Sequence, residues 1–315
     1  MVLFLQSIRI FRSNRRENLC LLKNVQRKVA KLRAACTGPS GSGKTLSSLY
    51  LAFGFTNDWN KIALIDTEHG RAQFYANRSD LGTGEFLYDE LTPPYSPERY
   101  IEKVKEAASV VGPDGVIIVD SFSHAWDNEG GILDLKTQLE KSQNKNSFTV
   151  WNEAGKIQNN LVNTLLSVDC HVIVTLRSKM AYAMEQNERG KMEPVKLGLA
   201  PVQRENTEYE FDIVFNISRN HYAVTSKDTT FLDTWNGMIT PELGSQLKEW
   251  LSNGAEPHRC TDCGNLITAV KGRSVEQIAE GTEKNYGRKL CWKCMSAEIK
   301  RIKEQKQNGT ETVSK

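Results

Sequence analysis

The sequence predicts a mainly parallel α/β domain followed by a small four-cysteine module. Three short strands rich in valine, isoleucine and leucine, at residues 61–66, 115–120 and 171–176, alternate with segments compatible with helices. A parallel sheet covered by helices on both faces requires such continuous apolar strands. Two C-x2-C pairs near the C-terminal end indicate the second unit.

The other elements follow from hydrophobic periodicity and turn signals. A first strand at 31–37 ends in a glycine-rich turn, and helices are predicted at 45–55, 96–110, 152–167 and 241–252. Residues 209–217 and 221–226 predict two strands joined by a short polar turn. These two strands would form an antiparallel edge of the sheet.

Length and charge set the domain organisation. The 315 residues, of which 39% are hydrophobic and 25% charged, are typical of a globular chain with one main domain and an appendage. We expect a basic arm at 1–28, the α/β domain at 29–253, the cysteine module at 257–299 and an unstructured polar tail at 300–315. No apolar run approaches the roughly 18 residues that span a bilayer, so no membrane segment is expected.

The first 33 residues carry nine Lys/Arg against the single acid Glu17. Such an arm suits phosphate backbones or anionic lipid, but it equally suits a solvated tail without a specific ligand. A mitochondrial presequence is a third alternative, because residues 1–16 are rich in arginine and poor in acids. No function is assigned to the arm.

A glycine-rich loop between the first strand and the first helix carries the clearest chemical signal. The run Gly38-Pro39-Ser40-Gly41-Ser42-Gly43-Lys44-Thr45 matches G-x-x-x-x-G-K-[ST]. Its backbone N–H groups and the positive end of the following helix suit a polyphosphate. Lys44 is expected to reach the β and γ phosphates, and the Thr45 hydroxyl to bind Mg²⁺.

Carboxylates at the ends of two further strands suit metal binding and hydrolysis. Asp120 ends the apolar strand at 115–120 and is expected to meet Mg²⁺ through water, although an aspartate in this position also caps helices. Glu68 follows the strand at 61–66, at the edge of the sheet where ligands of open α/β proteins bind. As an isolated feature, Glu68 would also fit a surface acid.

The order of these motifs resembles the core of RecA-like recombinases. The phosphate loop is followed by Ile65-Asp66-Thr67-Glu68-His69-Gly70, then Phe74-Tyr75-Ala76, then Asp120-Ser121 after the apolar strand, and finally Thr175-Leu176-Arg177. The resemblance covers about residues 29–250. It implies that the substrate is ATP and that Glu68 is the catalytic base.

The same resemblance implies further site residues. A polar sensor falls near Thr175 to Arg177, although the glutamine that the family has there is missing. The run Thr225-Ser226-Lys227 resembles the segment from which a neighbouring subunit completes the site. Lys227 is therefore a candidate trans-acting residue in a homo-oligomer, with an ordinary exposed lysine as the alternative.

A closer likeness indicates a biological context. The segments Arg177-Ser178-Lys179, 200–204 and 208–212 are similar to short RecA-like ATPases of bacteriophages that act in single-strand annealing and recombination. This resemblance implies single-stranded DNA as the partner, a single-strand-binding protein or replication protein as a further partner, and the cytoplasm of a bacterial host cell as the location.

The four cysteines Cys260, Cys263, Cys291 and Cys294 form C-x2-C-x27-C-x2-C. Four thiolates on two tight turns close a tetrahedron around Zn²⁺ and leave no open position, so a structural zinc is predicted. The long middle segment keeps a redox-active or metal-free pair open as an alternative. Basic residues interleaved with Tyr286 and Trp292 suit single-stranded nucleic acid, and solvated charges explain them nearly as well.

Three functions are compatible with these observations. The first is a DNA-dependent ATPase of the recombination and annealing type. The second is a motor or loader ATPase that acts on a replication or packaging partner. The third is a binding protein whose nucleotide state sets its DNA affinity, because one nucleotide-binding core serves many tasks.

Overall fold

A computed structural model describes residues 27–143, 147–186, 192–254, 258–270 and 272–310. The described residues form two compact units, one of residues 30–252 and one that groups residues 27–29 with those after 252. The basic arm expected at 1–28 lies outside the described residues except for its last two. None of the described helices is long and apolar enough to cross a membrane.

The larger unit alternates strands and helices. Its strands are β1 (Arg33–Gly38), β2 (Ile62–Asp66), β3 (Leu87–Glu90), β4 (Val116–Asp120), β5 (His171–Gln186), β6 (Met192–Pro201), β7 (Ile213–Ile217), β8 (Ala223–Asp228) and β9 (Asn236–Gly237). Its helices are α1 (Lys44–Thr56), α2 (Pro97–Val111), α3 (His124–Asp127), α4 (Ile132–Gln143), α5 (Ser147–Ser167) and α6 (Pro241–Ser252).

The strands form a sheet in the order β3-β2-β4-β5-β1-β7-β8-β9, with β6 attached to β5. All neighbours from β3 to β7 run parallel, and β8 and β9 continue the edge in antiparallel pairing. The predicted α/β fold with its mainly parallel sheet is therefore confirmed. Strand β5 lies between β1 and β4, so the ends of these three strands meet at one edge.

Both faces of the sheet are covered by apolar side chains. One cluster joins the sheet to α1 and α6 through residues such as Leu49, Phe55 and Leu247. The other packs α2 and α5 against it through residues such as Tyr100 and Leu161. Helices α1 and α6 approach so closely that a Cβ on Gly54 would stand 2.0 Å from the carbonyl oxygen of Pro241. A methyl group at position 54 would force the two helices apart.

Arg33 anchors the end of α5 to the sheet. Its guanidinium is buried and donates to the carbonyl oxygens of Leu32, Leu166, Val168 and Cys170. The last carbonyl groups of a helix have no partner within the helix, and a fork of N–H donors satisfies them. A charged side chain at the start of a buried strand is thus explained by the helix end beside it.

Several elements differ from the sequence-based expectation. Strand β5 continues for ten residues beyond position 176 and pairs with β6 from Ser178↔Pro201 to Gln186↔Met192. Helix α5 begins five residues earlier than expected, at Ser147. Strand β3 and helix α4 were not predicted, because neither contains a clear apolar pattern. The six predicted strands nevertheless form the middle of the main sheet, and β3 and β9 are added at its two edges.

The smaller unit contains a cysteine-bearing turn and the helices α7 (Val275–Tyr286) and α8 (Trp292–Thr310). Helix α7 begins with a capping box in which Ser274 and Gln277 bond reciprocally. The expectation of an unstructured tail from residue 300 is wrong for residues 300–310, which continue α8. Ion pairs Arg301–Glu298 and Lys300–Glu304 support this stretch at helical spacing.

Candidate active site

The phosphate loop connects β1 to α1 with two residues in left-handed conformation. Gly41 has φ +78° and Gly43 has φ +86°, a region in which side chains other than glycine are strained. A Cβ on Gly43 would also stand 2.7 Å from Nδ1 of His221. Lys44 is buried, and its Nζ donates to the carbonyl oxygens of Gly38 and Pro39, both at 3.1 Å. The lysine therefore lies folded along the loop that precedes it.

The strand order brings Thr45 and Thr175 to the two oxygens of Asp120. The Thr45 hydroxyl donates to Oδ2 at 2.6 Å, and the Thr175 hydroxyl donates to Oδ1. Thr45 lies in the first turn of α1, which follows β1, and Asp120 ends β4. Thr175 belongs to β5, the strand that lies between β1 and β4 in the sheet. A hydroxyl and a carboxylate oxygen side by side are hard donors of the kind that Mg²⁺ prefers. These side chains thus fit a magnesium ion next to the phosphate loop.

Burial shapes the charges of this group. Desolvation raises the pKa of Asp120, against the hydrogen bonds from Thr175 and Thr45, which lower it. Desolvation also lowers the pKa of Lys44, against the attraction of Asp120 and Glu68, which raises it. Both shifts reflect charges held away from water. A divalent cation and a polyphosphate would favour the charged form of each side chain.

Glu68 lies on a turn that Asp66 organises. The Asp66 carboxylate accepts the N–H groups of Glu68 at 2.5 Å and Ala72 at 3.0 Å. The Glu68 side chain is 24% exposed, and its Oε2 lies 3.8 Å from Nη1 of Arg71. A carboxylate that is fixed by its backbone but open on one side suits the orientation of a water molecule.

A cavity of about 560 Å³ joins these side chains. Predicted residues that line it are Ser40, Gly41, Gly43, Lys44, Thr45, Glu68, Asp120 and Arg177. Lining residues that were not assigned a role from sequence are His69, Arg71, Phe74, Tyr75, His124 and Asn128. Of the other predicted residues, Thr175 lies behind Asp120, and Gly38, Pro39 and Ser42 shape the loop without lining the cavity.

His124 is the most informative of the residues that sequence reasoning missed. It follows Asp120 by four positions, and its buried ring contacts Thr67 and Arg177. The only sequence signal was a histidine shortly after a strand that ends in aspartate. Such a histidine could equally belong to the core, and only the contacts with Thr67 and Arg177 indicate its place in the site.

Lys227 lies outside the cavity. It belongs to β8 and pairs with Val214 near the beginning of β7, whereas the phosphate loop follows the end of the parallel strand β1. Its Nζ donates to the carbonyl oxygens of Phe211, at 2.6 Å, and Tyr209. Lys227 therefore takes no part in the phosphate site of its own chain.

A phosphate loop, an aspartate on the next strand but one whose position suits a metal ion, and an adjacent acid are the features of a P-loop nucleoside-triphosphatase. A protein-family comparison leads to the same class. The model of the family AAA_24, described as an AAA domain, matches residues 30–241, and the chain belongs to this family of P-loop ATPases. No curated protein matches the chain.

The four cysteines of the smaller unit converge on one point. Their sulfur atoms lie within 4.8 Å of one another, and those of Cys263 and Cys291 are 3.8 Å apart. Four thiolates about 2.3 Å from a tetrahedral zinc would be about 3.8 Å apart. Gly264 makes the first turn possible with φ +72°, and its N–H donates to the Cys260 carbonyl. The cluster is compatible with Zn²⁺ in both donor type and spacing.

The surroundings of the cluster act on its thiols in opposite ways. Burial opposes ionisation of Cys260, but backbone donors at Cys291, Cys263 and Asp262 outweigh it and lower the pKa of this thiol to about 6. Hydrogen bonding with Cys263 and Cys291 raises the pKa of Cys294. Neighbouring thiolates repel one another, and a shared divalent cation offsets that repulsion.

Proposed function

We propose that the protein hydrolyses ATP with Mg²⁺ and couples hydrolysis to the binding and annealing of single-stranded DNA, as in phage-type recombination. The observation that carries the hydrolytic part is the convergence of Lys44, Thr45, Asp120 and Glu68 around one cavity. The DNA part is supported by the resemblance of the sequence to phage annealing ATPases. It is also supported by the connection of the β5–β6 hairpin to the strand of Thr175 and by the aromatic side chains of the cysteine module.

The phosphate loop would bind the triphosphate through the backbone N–H groups of Ser40 to Thr45. Lys44 would exchange its bonds to Gly38 and Pro39 for phosphate oxygens. Mg²⁺, held through Thr45 and Asp120, would neutralise charge on the β and γ phosphates. Thr175 keeps Asp120 oriented, because its hydroxyl donates to the carboxylate oxygen that Thr45 leaves free.

Glu68 acts as the base that orients the attacking water and accepts its proton. Arg177, which also lines the cavity, would offer a cation to the γ-phosphate as charge moves onto the departing diphosphate. Phe74 and Tyr75 supply aromatic faces against which a nucleobase can stack. The position of each side chain in the lining of the cavity supports these roles.

The DNA contacts are assigned to the hairpin of β5 and β6 and to the cysteine module. The hairpin continues directly from the part of β5 that carries Thr175 and Arg177. A ligand that displaces the hairpin would therefore also displace these two residues of the hydrolysis site. In the module, Arg288, Lys289, Lys300 and Arg301 are each paired with an acid. Base stacking on aromatic side chains is therefore the stronger argument there than charge.

A homo-oligomer is part of this proposal. Lys227 lies two strands from β1, beside the beginning of β7, and does not line the cavity of its own chain, which leaves it available to a neighbouring subunit. It would have to leave the carbonyl oxygens of Tyr209 and Phe211 to act in trans. A single-strand-binding protein or replication protein is the further partner, and the cytoplasm of a bacterial host cell is the location.

The proposal is tested by the rates of ATP hydrolysis and of strand annealing with the wild-type protein. Single-stranded DNA of several lengths is added at low and moderate salt, with duplex DNA as the control, because phosphate contacts weaken as salt rises. We expect single strands to raise the hydrolysis rate and complementary labelled strands to anneal faster. A hydrolysis rate that DNA does not change at any salt concentration contradicts the DNA part of the proposal. It favours a motor or loader ATPase that is driven by a protein partner.

A further inference from the structure

His124 stands between two segments of the ATPase unit that are far apart in sequence. Its Nδ1 lies 2.8 Å from Oγ1 and 3.1 Å from the carbonyl oxygen of Thr67. Its Nε2 lies 3.0 Å from Nη1 of Arg177. The ring is buried and also packs at 5.2 Å against Tyr95. Both ring nitrogens are therefore occupied by defined partners.

These partners determine where the imidazole carries its proton. The Thr67 carbonyl can only accept a hydrogen bond, so Nδ1 must donate. The Arg177 guanidinium can only donate, so Nε2 must accept. Burial lowers the pKa of His124, and the charge of Arg177 lowers it further, which favours the same neutral form. His124 is thus a neutral imidazole protonated on Nδ1.

The first partner belongs to the segment that carries the catalytic base. Thr67 immediately precedes Glu68, and its N–H donates to the Asp120 carbonyl at 2.7 Å. Its hydroxyl accepts the N–H of Ser121 at 2.8 Å. Thr67 therefore ties the Glu68 turn to the end of β4, and the bond from His124 completes this tie.

The second partner lies at the root of the hairpin. Arg177 is the last residue of β5 that pairs with β1, opposite Gly38, and pairing with β6 begins at the next residue. Its N–H donates to Oγ of Ser123 at 2.9 Å, and its carbonyl accepts the N–H of Val202. A displacement of the hairpin would therefore reach Arg177 first.

We propose that His124 is a positioning residue that couples the β5–β6 hairpin to ATP hydrolysis by holding the Glu68 segment against Arg177. A ligand that shifts the hairpin moves Arg177, and His124 transmits the shift through Thr67 to Glu68. This inference rests on the proposed function, in which Glu68 is the base and single-stranded DNA is the ligand. His124 acts through its two neighbours and takes no proton from the water.

Three substitutions separate the two halves of this connection. In His124→Asn the amide reaches the position of Nδ1 and can donate to Thr67, while Arg177 loses its acceptor. In His124→Gln the amide oxygen reaches the position of Nε2 and can accept from Arg177, while Thr67 loses its donor. His124→Ala removes both bonds. His171→Asn is the matched control, because His171 is a buried histidine at the opposite end of β5.

We expect His124→Ala and His124→Gln to lower the basal kcat about tenfold with the KM for ATP within about twofold, because the base is misplaced and the phosphate loop is intact. His124→Asn should lower the basal kcat less than His124→Ala does, because the bond to Thr67 remains, and should lose stimulation by single-stranded DNA. His171→Asn should leave both rates near wild type. If single-stranded DNA stimulates His124→Asn as much as wild type, the coupling is overturned. It is also overturned if the loss of kcat in every variant is proportional to the decrease in its melting temperature.

A double-mutant cycle tests the connection without DNA. If His124 and Arg177 act together, Arg177→Ala should reduce the basal kcat less in the His124→Ala background than in wild type. Independent, multiplicative losses would overturn the inference. If DNA does not change the hydrolysis rate of the wild-type protein, the DNA part of the proposed function is contradicted. The double-mutant cycle still tests whether His124 and Arg177 act together.

The tautomer of His124 gives a readout that needs no hydrolysis. Nitrogen-15 spectra of the imidazole at neutral pH, assigned with the His124→Asn variant, should report a neutral ring protonated on Nδ1. A ring protonated on Nε2, or an imidazolium, would overturn the inference even if the enzyme is active. If the protein does not hydrolyse ATP, the proposed function fails, and this spectrum alone decides whether His124 links its two neighbours.

Discussion

The phosphate site and the cysteine cluster are two polar sites built in different ways. The phosphate site takes Lys44, Asp120 and Thr175 from a helix and two strands whose positions are set by a buried sheet. The cysteine cluster takes its sulfur atoms from one turn and from the beginning of α8, beside a core of five buried residues that includes Cys260. A core of that size contributes little folding free energy. The first site is thus made by the fold, whereas we expect the second to depend on a bound metal ion.

The hydrogen bonds of the two sites lead to the same conclusion. Every oxygen of Asp120 has a donor, so its carboxylate has one orientation before any ligand binds. The thiol of Cys294, in contrast, is hindered from ionising by its neighbours.

Removal of zinc should unfold the smaller unit and leave the ATPase unit folded. Binding of a structural zinc contributes roughly 10–16 kcal/mol to the folding of small zinc domains. With a chelator or in Cys291→Ser, we expect loss of about one zinc per chain and rapid proteolysis after residue 252. Hydrolysis without DNA should stay within about twofold of wild type, because its site is made by the sheet. Metal analysis and limited proteolysis measure both effects.

Cys170→Ala is the control for this experiment, because it removes a buried thiol of the ATPase unit and should keep the zinc. A metal-free protein whose smaller unit resists protease would contradict the prediction. A disulfide among the four cysteines in that protein would support the redox alternative.

Lys44→Ala should abolish hydrolysis while the zinc content stays unchanged. Loss of a charge that stabilises the transition state costs roughly 3–4 kcal/mol, or a factor of about 10² to 10³ in rate. Steady-state hydrolysis and binding of a fluorescent ATP analogue provide the measurements. The control Lys105→Ala removes an exposed lysine on α2 and should keep full activity. A Lys44→Ala protein with wild-type turnover would show that the loop does not serve ATP.

Arg33→Met should destabilise the ATPase unit alone. The change leaves the carbonyl groups of Leu166, Val168 and Cys170 without their buried donor, at a cost of about 2–4 kcal/mol. Denaturant unfolding should show this loss in the transition of the larger unit. The exposed Arg78→Met serves as the control and should change the unfolding midpoint little. Equal stability of Arg33→Met and wild type would mean that water replaces the guanidinium.

Acid should weaken the larger unit through His171. Burial lowers the pKa of His171 to about 3, whereas an unfolded histidine titrates near 6.5. The unfolded state therefore binds the proton first, and stability that is present above pH 6.5 is lost as the pH falls towards 3. Between pH 7.5 and 5.5 this loss is about 1.4 kcal/mol. His171→Asn can still accept the Leu32 N–H and should lose that part of the pH dependence.

Parallel unfolding curves of wild type and His171→Asn at pH 7.5 and 5.5 measure the effect. An unchanged pH dependence in the variant would mean that other groups cause the acid sensitivity. The acid sensitivity of the ATPase unit would then have to come from groups other than His171.

The main sheet and the phosphate loop were predictable because their signals are local. Continuous apolar strands predict β2 and β4, and the loop motif names its own ligand class. The continuation of β5 could not be predicted, since residues 178–186 mix polar and apolar side chains and pair with β6 alone among the described strands. Helix α8 extends past residue 300 because ion pairs one turn apart support it where an apolar face does not.

The candidate site was predictable in its ligand-facing residues but not in those behind them. The motifs indicate Lys44 and Asp120, whose chemistry is tied to position in the sequence. Thr175, expected to face the nucleotide, instead bonds to Asp120, and His124 was missed altogether. Contacts between residues more than 50 positions apart follow from strand order, which the sequence pattern left open.

The most direct test of the account is a comparison of Glu68→Gln with wild type under single-turnover conditions with ATP and Mg²⁺. The amide keeps the size of the side chain and cannot accept a proton, and Glu85→Gln, an exposed change outside the cavity, is the control. We predict that Glu68→Gln binds ATP as tightly as wild type and cleaves it at least about 100-fold more slowly. Cleavage at the wild-type rate would contradict the assignment of Glu68 and, with it, the central claim that these strand ends form a hydrolytic site.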